Sequence, residues 1–514
     1  MKEQKKKKII IIGAGISGLS SGIYAQKSGF ISEIFERNMT PGGLCTSWVR
    51  KGYKLDGCVH WLTGTSHQSD LYNLWRSIDA FDDNSLIMED NFVTIEVDGV
   101  KVTLWHDLNK LEKELIEISP EDTKLIKKFI KDTKRIVNVP LPYVNSMSDM
   151  SIYRVLKTGI MMVPYLPLII KCLTTSVIKF SNKFKSPILR KVFATIMPGN
   201  KSNLYQALYA FGTGASSNGG VPYGGSLAMA NRIANNYEHL GGFIHYGKSV
   251  KEIIIKKNKA VGIRLTNGEE HYADYVISST DLHHSINTLL NNQYYFRHFS
   301  HRFKNEKKYP SPSCVLVHYS VDLNKFNDLN ITNTFEFETT PFIVGNSVIS
   351  SIRMRCYKYD KTFINNGRVT MNVLIHQDDD DFPFWNELNK NKPSYNQFKK
   401  EIGLIIKQKI EERFPSLFND LELLDVVTPM TFVRYTNAYH GAYMCWGLTN
   451  NNSMLIHNGK VPGVKNLFIS GQWLQMPGGL PIAMMSGKFA IDHIIKKEYQ
   501  FPIINLFRTI KNNN

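Results

Sequence analysis

Three glycines near the N-terminus have the spacing of a dinucleotide-binding turn. They follow the apolar run at residues 9–12 and open a segment rich in small residues, which is the context in which a GxGxxG pattern binds a diphosphate. The first glycine permits a tight bend, the second lets the backbone approach the pyrophosphate, and the third allows close packing of helix against strand. The free N–H groups of the helix stabilise phosphate charge. The residues expected at this turn are Gly13, Ala14, Gly15, Ser17 and Gly18.

Glu36 completes the pattern at the end of a second predicted strand, residues 31–35. It lies roughly twenty residues beyond the glycines, where a carboxylate accepts hydrogen bonds from the ribose hydroxyls and favours an unphosphorylated ribose. These features predict a dinucleotide site. They do not distinguish FAD from NAD.

The residues that follow do distinguish the two. Residues 37–47, RNMTPGGLCTS, resemble the second glycine motif of the glutathione-reductase-like FAD superfamily, in its amine oxidase and phytoene desaturase branch. The resemblance implies that Arg37, Gly42, Gly43 and Leu44 lie near the diphosphate and the flavin. Leu44 stands where this branch usually has an arginine.

Two later blocks are similar to the same branch. Val250 matches the position whose backbone meets the adenine, and residues 466–487 resemble the motif that ends phytoene desaturases, carotenoid isomerases and retinol saturases. A helix beginning near that motif would stabilise the negative charge that a flavin gains with hydride. The usual aspartate is replaced by glutamine. The residues implied here are Gly471, Gln472, Pro481, Ile482 and Ala483.

Candidate catalytic residues are His60, Trp61 and Tyr435. His60 and Trp61 occupy the stretch in which the family's strand runs from the diphosphate toward the isoalloxazine, so we expect them to face substrate. A single histidine is nevertheless more often structural, and core packing is an equally good explanation for Tyr435 and for Trp446. No residue pattern indicates a metal ligand set.

Four predicted strands and a hairpin must position these residues. Apolar strands at residues 9–12, 31–35, 272–278 and 467–470, with a hairpin around Asn258, indicate a parallel sheet assembled from distant parts of the chain. The predicted class is therefore α/β, a discontinuous Rossmann-like FAD-binding domain with an inserted α+β substrate domain. The predicted boundaries are 1–85, 201–285 and 426–500 for the FAD-binding domain, 86–200 and 286–425 for the substrate lobe, and 501–514 for a tail.

An apolar segment at residues 159–173 has two explanations. Pro164 and Pro167 interrupt it, Lys157 and Lys171 flank it, and it is shorter than the ~20 residues of a spanning helix. It either dips into one leaflet of an anionic membrane, within residues 155–180, or forms a buried core helix. The N-terminal apolar run is shorter than the roughly 7–15 residues of an export signal. We therefore expect a cytoplasmic protein, held peripherally at the inner face of the membrane if the first explanation is right.

Composition limits the classes of partner that the chain is expected to bind. The 514-residue chain has a formal charge of +17, but no nucleic-acid-binding pattern accompanies that charge, so we expect no nucleic acid partner. The six cysteines have no CxxC spacing and are expected to be reduced. The acidic run at residues 378–381 is expected to be a solvated loop.

The resemblance implies an FAD-dependent oxidoreductase. Its expected activity is hydride transfer on carbon–carbon bonds of an apolar polyene or isoprenoid, as in desaturases, saturases or isomerases of the carotenoid and retinoid type. One alternative is a flavin amine oxidase, and another is a non-catalytic flavin-binding protein. No second GxGxxG follows an apolar strand, so the electron partner stays open.

Overall fold

The computed structural model describes residues 6–140, 152–197, 201–294 and 296–511. The helices are α1 (Ile16–Lys27), α2 (Asp70–Ser77), α3 (Leu108–Ile118), α4 (Thr123–Ile136), α5 (Ile152–Met162), α6 (Leu166–Thr174), α7 (Val177–Ser181), α8 (Pro187–Ala194), α9 (Leu204–Ala215), α10 (Gly225–His239), α11 (Leu282–His284), α12 (Arg297–Phe303), α13 (Leu323–Asp328), α14 (Phe382–Leu388), α15 (Lys392–Arg413), α16 (Pro429–Thr436) and α17 (Leu480–Lys511).

The strands are β1 (Lys8–Ile12), β2 (Ile31–Phe35), β3 (Ser47–Arg50), β4 (Tyr53–Asp56), β5 (Leu62–Thr63), β6 (Leu86–Ile87), β7 (Asn91–Val97), β8 (Val100–Trp105), β9 (Gly219–Pro222), β10 (Phe243–His245), β11 (Val250–Lys256), β12 (Lys259–Leu265), β13 (Glu270–Tyr272), β14 (Tyr275–Ser278), β15 (Ser313–Asp322), β16 (Thr334–Val344), β17 (Ser347–Cys356), β18 (Ile364–Asn365), β19 (Arg368–Gln377), β20 (Glu422–Val427) and β21 (Leu467–Ile469).

A five-stranded parallel sheet lies at the centre of the nucleotide-binding part, in the order β10-β2-β1-β14-β21. Its strands come from the beginning, the middle and the end of the chain. Helices α1, α10 and α17 cover one face, and the antiparallel sheet β11-β12-β13 lies on the other side. The predicted α/β class with a Rossmann-like domain is confirmed.

The isoleucine run of β1 explains why this strand is central. Ile9 and Ile11 are buried among the side chains of α1, α10 and α17, whereas Ile10 and Ile12 are buried on the opposite side with residues of β11 and β12. Successive side chains of a strand point to opposite faces, so a strand covered on both sides needs an unbroken apolar run.

The strand predicted at residues 272–278 is in fact two strands. β13 ends at Tyr272 and belongs to the antiparallel sheet, whereas β14 begins at Tyr275 and joins the parallel one. The backbone changes partner between them, because Ala273 N donates to Val261 O at 2.9 Å and Asp274 N donates to Lys8 O at 2.9 Å. Apolar periodicity alone carries no signal for such a change of sheet.

An eight-stranded, largely antiparallel sheet forms the second large unit, with the order β20-β15-β19-β17-β16-β7-β8 and β18 beside β19. On one face its side chains pack in a core with α14 and α15. The alternate residues of β15 and β19, Cys314, Leu316, Asn372, Leu374 and His376, point to the other face and line a cavity.

The apolar segment near residue 160 is longer than predicted. Helices α5 and α6, joined by a 3-10 turn, form a continuous 22-residue stretch, Tyr153–Thr174, within which an 18-residue window has a mean hydropathy of 1.5. Its length and composition would allow it to cross a membrane, although core helices of soluble proteins can have the same properties. Only 11% of that window is buried, which does not fit a buried core helix, although Leu168 and Cys172 of α6 do pack in the core.

The acidic run at residues 378–381 is not a solvated loop, and that expectation is wrong. Asp379 and Asp381 are buried. Asp379 accepts from His440 at 2.9 Å, and Asp381 accepts from Ser347 Oγ at 2.8 Å. These partners come from distant parts of the chain, which a local composition rule cannot anticipate.

Candidate active site

The turn between β1 and α1 leaves an open space beside Gly15. A Cβ on Gly15 would have its nearest protein atom, Gly42 O, at 3.9 Å, and no side chain caps the first turn of α1. Gly18 is the opposite case, since a Cβ there would lie 1.9 Å from Gly13 O. Gly13 itself has φ +97°, a conformation that favours glycine. The second glycine thus leaves room for a ligand, and the first and third are needed by the fold.

Glu36 lies at the end of β2, buried but at the wall of the cavity. Its carboxylate accepts from Ala14 N at 2.7 Å, from Asn38 N at 2.8 Å and from Asn38 Nδ2 at 2.9 Å. Backbone donors therefore hold the carboxylate beside the glycine turn, where a ribose would be recognised.

The second glycine turn lies against the first. Gly42 N donates to Ala14 O at 2.8 Å, and Gly43 has φ +62°. Arg37 Nη1 donates to Asn437 Oδ1 at 2.6 Å and Nη2 to Arg434 O at 3.0 Å, so its side chain is bonded to the end of α16. Leu44 is at the cavity wall.

The C-terminal motif forms the loop between β21 and α17. Gln472 fixes this loop, since its Oε1 accepts from Gly479 N at 3.1 Å and its Nε2 donates to Tyr443 O at 3.3 Å. Gly471 N donates to Ser486 Oγ at 2.8 Å. The loop brings the first turn of α17 to the same cavity as the glycine turns.

One cavity of about 1600 Å³ brings the predicted sites together. Ala14 and Gly18 lie in the fold behind it rather than among its lining residues. The predicted residues that line it are Gly13, Gly15, Ser17, Glu36, Arg37, Gly42, Gly43, Leu44, His60, Trp61, Val250, Tyr435, Gly471, Gln472, Pro481, Ile482 and Ala483. The volume exceeds the 300–1,000 Å³ typical of a site for one drug-sized ligand.

Beyond the glycine turns the cavity passes over the eight-stranded sheet to α5, α6 and α9. Leu316 and Leu374 form part of its floor, and Tyr205 of α9 part of its side. Met162 of α5 and Ile169 of α6 are at its far end. The same two helices that expose apolar side chains outward therefore also wall the cavity.

His60 lies between these two ends. Burial, together with the positive charges of Arg355 and Arg353, lowers its pKa to about 3. The imidazole is therefore neutral near pH 7. Trp61 packs edge-on against Phe92, with 5.6 Å between ring centroids.

The arginines near His60 form a polar floor that sequence reasoning missed. Arg355 Nη2 is 2.5 Å from Glu89 Oε2, and Arg353 Nη2 is 2.6 Å from Glu336 Oε2. Both arginines lie on β17 two residues apart, and side chains two residues apart on a strand point to the same face. That alternation is readable in the sequence, but which face meets the cavity depends on the tertiary fold.

Comparison with known proteins finds one family model and several relatives that match the chain. Residues 11–78 match the family model of the NAD(P)-binding Rossmann-like domain. The chain is 23% identical over 512 residues to a 1-hydroxycarotenoid 3,4-desaturase of a Flavobacterium species, covering 95% of this chain and 99% of that protein. It is 28% identical over 300 residues to the neurosporene-forming phytoene desaturase of Rhodobacter capsulatus, covering 55% of this chain and only 54% of that relative.

Solved structures show the same fold across almost the whole chain. An oxidoreductase from Methanosarcina mazei aligns with a TM-score of 0.58 at 18% identity, covering 95% of this chain and 100% of that one. Cyclohexylamine oxidase from Brevibacterium oxydans aligns with a TM-score of 0.56 at 14% identity, covering 96% and 99%. The carotenoid desaturases among the relatives, together with the amine oxidase fold, support assignment to the FAD-dependent amine oxidase and phytoene desaturase superfamily. The same comparisons support an oxidoreductase.

Two aromatic candidates lie in different surroundings. Tyr435 is exposed, and its carbonyl accepts from Asn38 Nδ2 at 3.1 Å, next to Glu36 at the nucleotide end. Trp446 is fully buried and packs against Phe303 and Trp473. Trp446 is thus a core residue, whereas the roles of His60, Trp61 and Tyr435 stay predictions.

Proposed function

We propose that this oxidoreductase binds FAD and acts by hydride transfer on carbon–carbon bonds of an apolar polyene or isoprenoid. The observation that supports this most strongly is the single cavity of about 1600 Å³ that joins the glycine turns to the apolar helices α5 and α6. A dinucleotide and a long substrate need such a volume together. The named relatives that act on carotenoids support the same substrate class.

The lining residues fit FAD. Glu36 would accept from the ribose, the open space at Gly15 would admit the pyrophosphate, and the start of α17 would lie near the flavin. When bound, FAD supplies the chemistry of accepting or donating hydride. The first turn of α17 presents backbone N–H groups, which stabilise nearby negative charge.

The residues of the distal cavity would orient the substrate and exclude water from it. Leu316, Leu374 and Trp61 present apolar surface that excludes water from a polyene. His60 is neutral and carries no charge to attract water or an ionised substrate. A charged base is not obligatory, because positive charge developing on an allylic carbon is delocalised along the chain.

We propose in addition that α5 and α6 attach the protein to one leaflet of an anionic membrane. Ile160, Val163 and Ile170 are mostly exposed and form an apolar surface with the exposed Lys157 and Lys171. Each lysine near an anionic surface contributes about 1 kcal/mol, and a fully buried apolar side chain roughly 1.5–3 kcal/mol. A substrate dissolved in that leaflet would meet the end of the cavity directly.

The amine oxidase alternative has less support. An amine substrate is a cation, but near His60 the arginines Arg353 and Arg355 already occupy the carboxylates Glu336 and Glu89. The likeness to cyclohexylamine oxidase, at 14% identity, concerns the fold.

The test compares lipid extracts by mass from cells that lack the protein, express it, or express Gly15→Val. We expect a polyene or isoprenoid whose mass or isomer composition changes only with the native chain. A loss of two hydrogens indicates desaturation, a gain of two indicates saturation, and an unchanged mass with altered retention indicates isomerisation. Identical extracts from all three cultures, although the native chain is present and flavin-loaded in the culture that expresses it, would contradict the proposal.

A further inference from the structure

Two cysteines lie opposite each other at the base of the β3–β4 hairpin. The antiparallel register of this hairpin pairs Ser47 with Asp56. The ladder ends there, and Cys45 lies two residues before Ser47 while Cys58 lies two residues after Asp56. In sequence these cysteines are thirteen residues apart, so no short motif marks them as a pair.

The last hydrogen bond across the hairpin lies next to both cysteines. Gly57 N donates to Thr46 O at 3.2 Å, whereas Thr46 N donates to Leu44 O and Cys45 N to Gly42 O, so the ladder ends at this point and one cysteine flanks each end of its last bond. Opposed Cα atoms of an antiparallel pair are about 4.5–5.5 Å apart, and a disulfide bridges roughly 4.4–6.8 Å, so residues directly beyond such a bond are within reach of a disulfide.

The side chains on this face of the hairpin do meet. Ser47 Oγ donates to Asp56 Oδ2 at 2.8 Å in the neighbouring pair. Two causes raise the pKa of Cys45 well above its usual value: the larger is a side-chain hydrogen bond with the Cys58 thiol, and the second is burial. Both thiols are reduced in the structure.

Both cysteines line the cavity at its nucleotide end. Cys45 follows the second glycine turn and is 1% exposed, whereas Cys58 is partly exposed and comes two residues before His60. A small reagent that enters the cavity therefore reaches Cys58 first, with Cys45 behind it as the second thiol. Cys314 of β15 and Cys445 also line this cavity, so the test must separate both of these competing thiols.

We propose that Cys45 and Cys58 are a redox-active pair that closes into a disulfide across the hairpin, by exchange with a small disulfide admitted to the cavity. The Cys58 sulfur, deprotonated, attacks one sulfur of the small disulfide, whose S–S bond breaks. The Cys45 sulfur then attacks Cys58 in the mixed disulfide and releases the second thiol. The two cysteine sulfurs are oxidised, the small disulfide is reduced to two thiols, and the two protons pass to those thiols. Excess dithiol reverses both steps.

The pair connects two walls of the candidate active site. Cys45 belongs to the segment that carries the glycine turn, and Cys58 to the segment that carries His60. The inference rests on this hairpin alone and does not depend on the identity of the substrate. The experiment measures the oxidation state of the thiols and not turnover of a substrate. The thiol proposal can therefore fail while the proposed function stands, and the proposed function can fail while the thiol proposal stands.

The test equilibrates the full-length protein with reduced and oxidised dithiothreitol in varied ratios, followed by maleimide alkylation in denaturant and peptide mass mapping. We expect oxidising ratios to remove two of the six alkylation sites and to yield a peptide joining Cys45 to Cys58, with both effects reversed by reduced dithiothreitol. Cys58→Ser should leave all remaining cysteines alkylated at every ratio. Cys356→Ala, on β17, should still form the cross-link.

Two results would overturn the proposal. One is full alkylation of all six cysteines at every ratio, and the other is a cross-link that joins Cys58 to Cys314 or to Cys445 instead. Because Cys58 is the more exposed thiol of the pair, Cys58→Ser decides the question even if replacement of the buried Cys45 disturbs folding.

Discussion

The two ends of the cavity are built from different kinds of structure. At the nucleotide end, backbone groups and the buried carboxylate of Glu36 are fixed by hydrogen bonds within a few residues of the glycine turns. At the α5–α6 end, apolar side chains face the cavity on one side and solvent on the other. The first arrangement is specific for one ligand geometry. The second suits any long apolar molecule. Substitutions at the two ends should therefore impair different properties of the protein.

The largest effect is expected for Gly15→Val. The new side chain would point into the space left for the pyrophosphate and not into protein, so flavin binding should weaken by at least about a hundredfold, ~2.7 kcal/mol, in a folded chain. Flavin content after purification and circular dichroism measure the two properties separately. Gly18→Ala is the matched control: its Cβ would meet Gly13 O at 1.9 Å, so it should unfold or markedly destabilise the protein. A Gly15→Val protein that keeps its flavin would contradict this assignment.

Glu36→Ala should have a smaller effect. Loss of a charged acceptor for the ribose costs about 1.5–3 kcal/mol, or roughly a ten- to hundredfold weaker affinity for FAD. Glu33 on the same strand is a control, because it is paired with Lys8 at 2.7 Å and with His245 at 3.1 Å and is absent from the cavity lining. Fluorescence titration of flavin-free protein compares the three chains. Equal affinities in Glu36→Ala and Glu33→Ala would remove Glu36 from the site.

At the other end, Ile160→Gln together with Met161→Gln should weaken binding to anionic vesicles by roughly tenfold, since two apolar side chains are partly withdrawn from the leaflet. Their side chains are 72% and 50% exposed, so the fold and the flavin content should be kept. Leu404→Gln with Ile405→Gln on α15 is the matched control, with 49% and 36% exposure. Sedimentation with vesicles gives the result. If both double variants bind like the native chain, α5 is not the attachment site.

A separate effect, on stability and not on binding, concerns Asp281, which lines the nucleotide end and accepts from Tyr439 N at 3.2 Å. Burial raises its pKa from 3.8 to about 6. Between these values the folded chain holds a proton that the unfolded chain has lost. This group therefore lowers the free energy of unfolding as pH rises from about 4 to about 6, by up to ~1.4 kcal/mol per pH unit.

Asp281→Asn should remove that contribution and leave the remaining pH dependence unchanged. Denaturant unfolding of both chains at several pH values measures the difference. Parallel stability curves would show that Asp281 titrates alike in the folded and unfolded chain.

The nucleotide end was predictable because its signals are local. Residues 9–18 contain the strand, the turn and the start of the helix, and β2 ends at Phe35, directly before Glu36, as expected. The backbone geometry of such a turn depends on glycines at fixed positions, which a single sequence displays.

The distal end depends on contacts between distant segments. Glu89 and Arg355 meet only because β7 and β17 lie on either side of β16, and the buried Asp381 bonds to Ser347. The exposure of α5 likewise depends on tertiary structure, since an apolar helix has the same sequence pattern whether it is buried or exposed. The β3–β4 hairpin, and not spacing in the sequence, likewise brings the segments of Cys45 and Cys58 together.

Anaerobic mixing of the FAD-loaded protein with candidate substrates tests the central claim most directly. A C40 polyene supplied in anionic vesicles and an aliphatic amine supplied in buffer are added separately while the visible absorbance of the flavin is followed. The account predicts that the polyene either bleaches the oxidised flavin or, when the flavin is first reduced, restores its colour, and that the amine does neither. Bleaching by the amine with no response to polyenes in either redox state would contradict it.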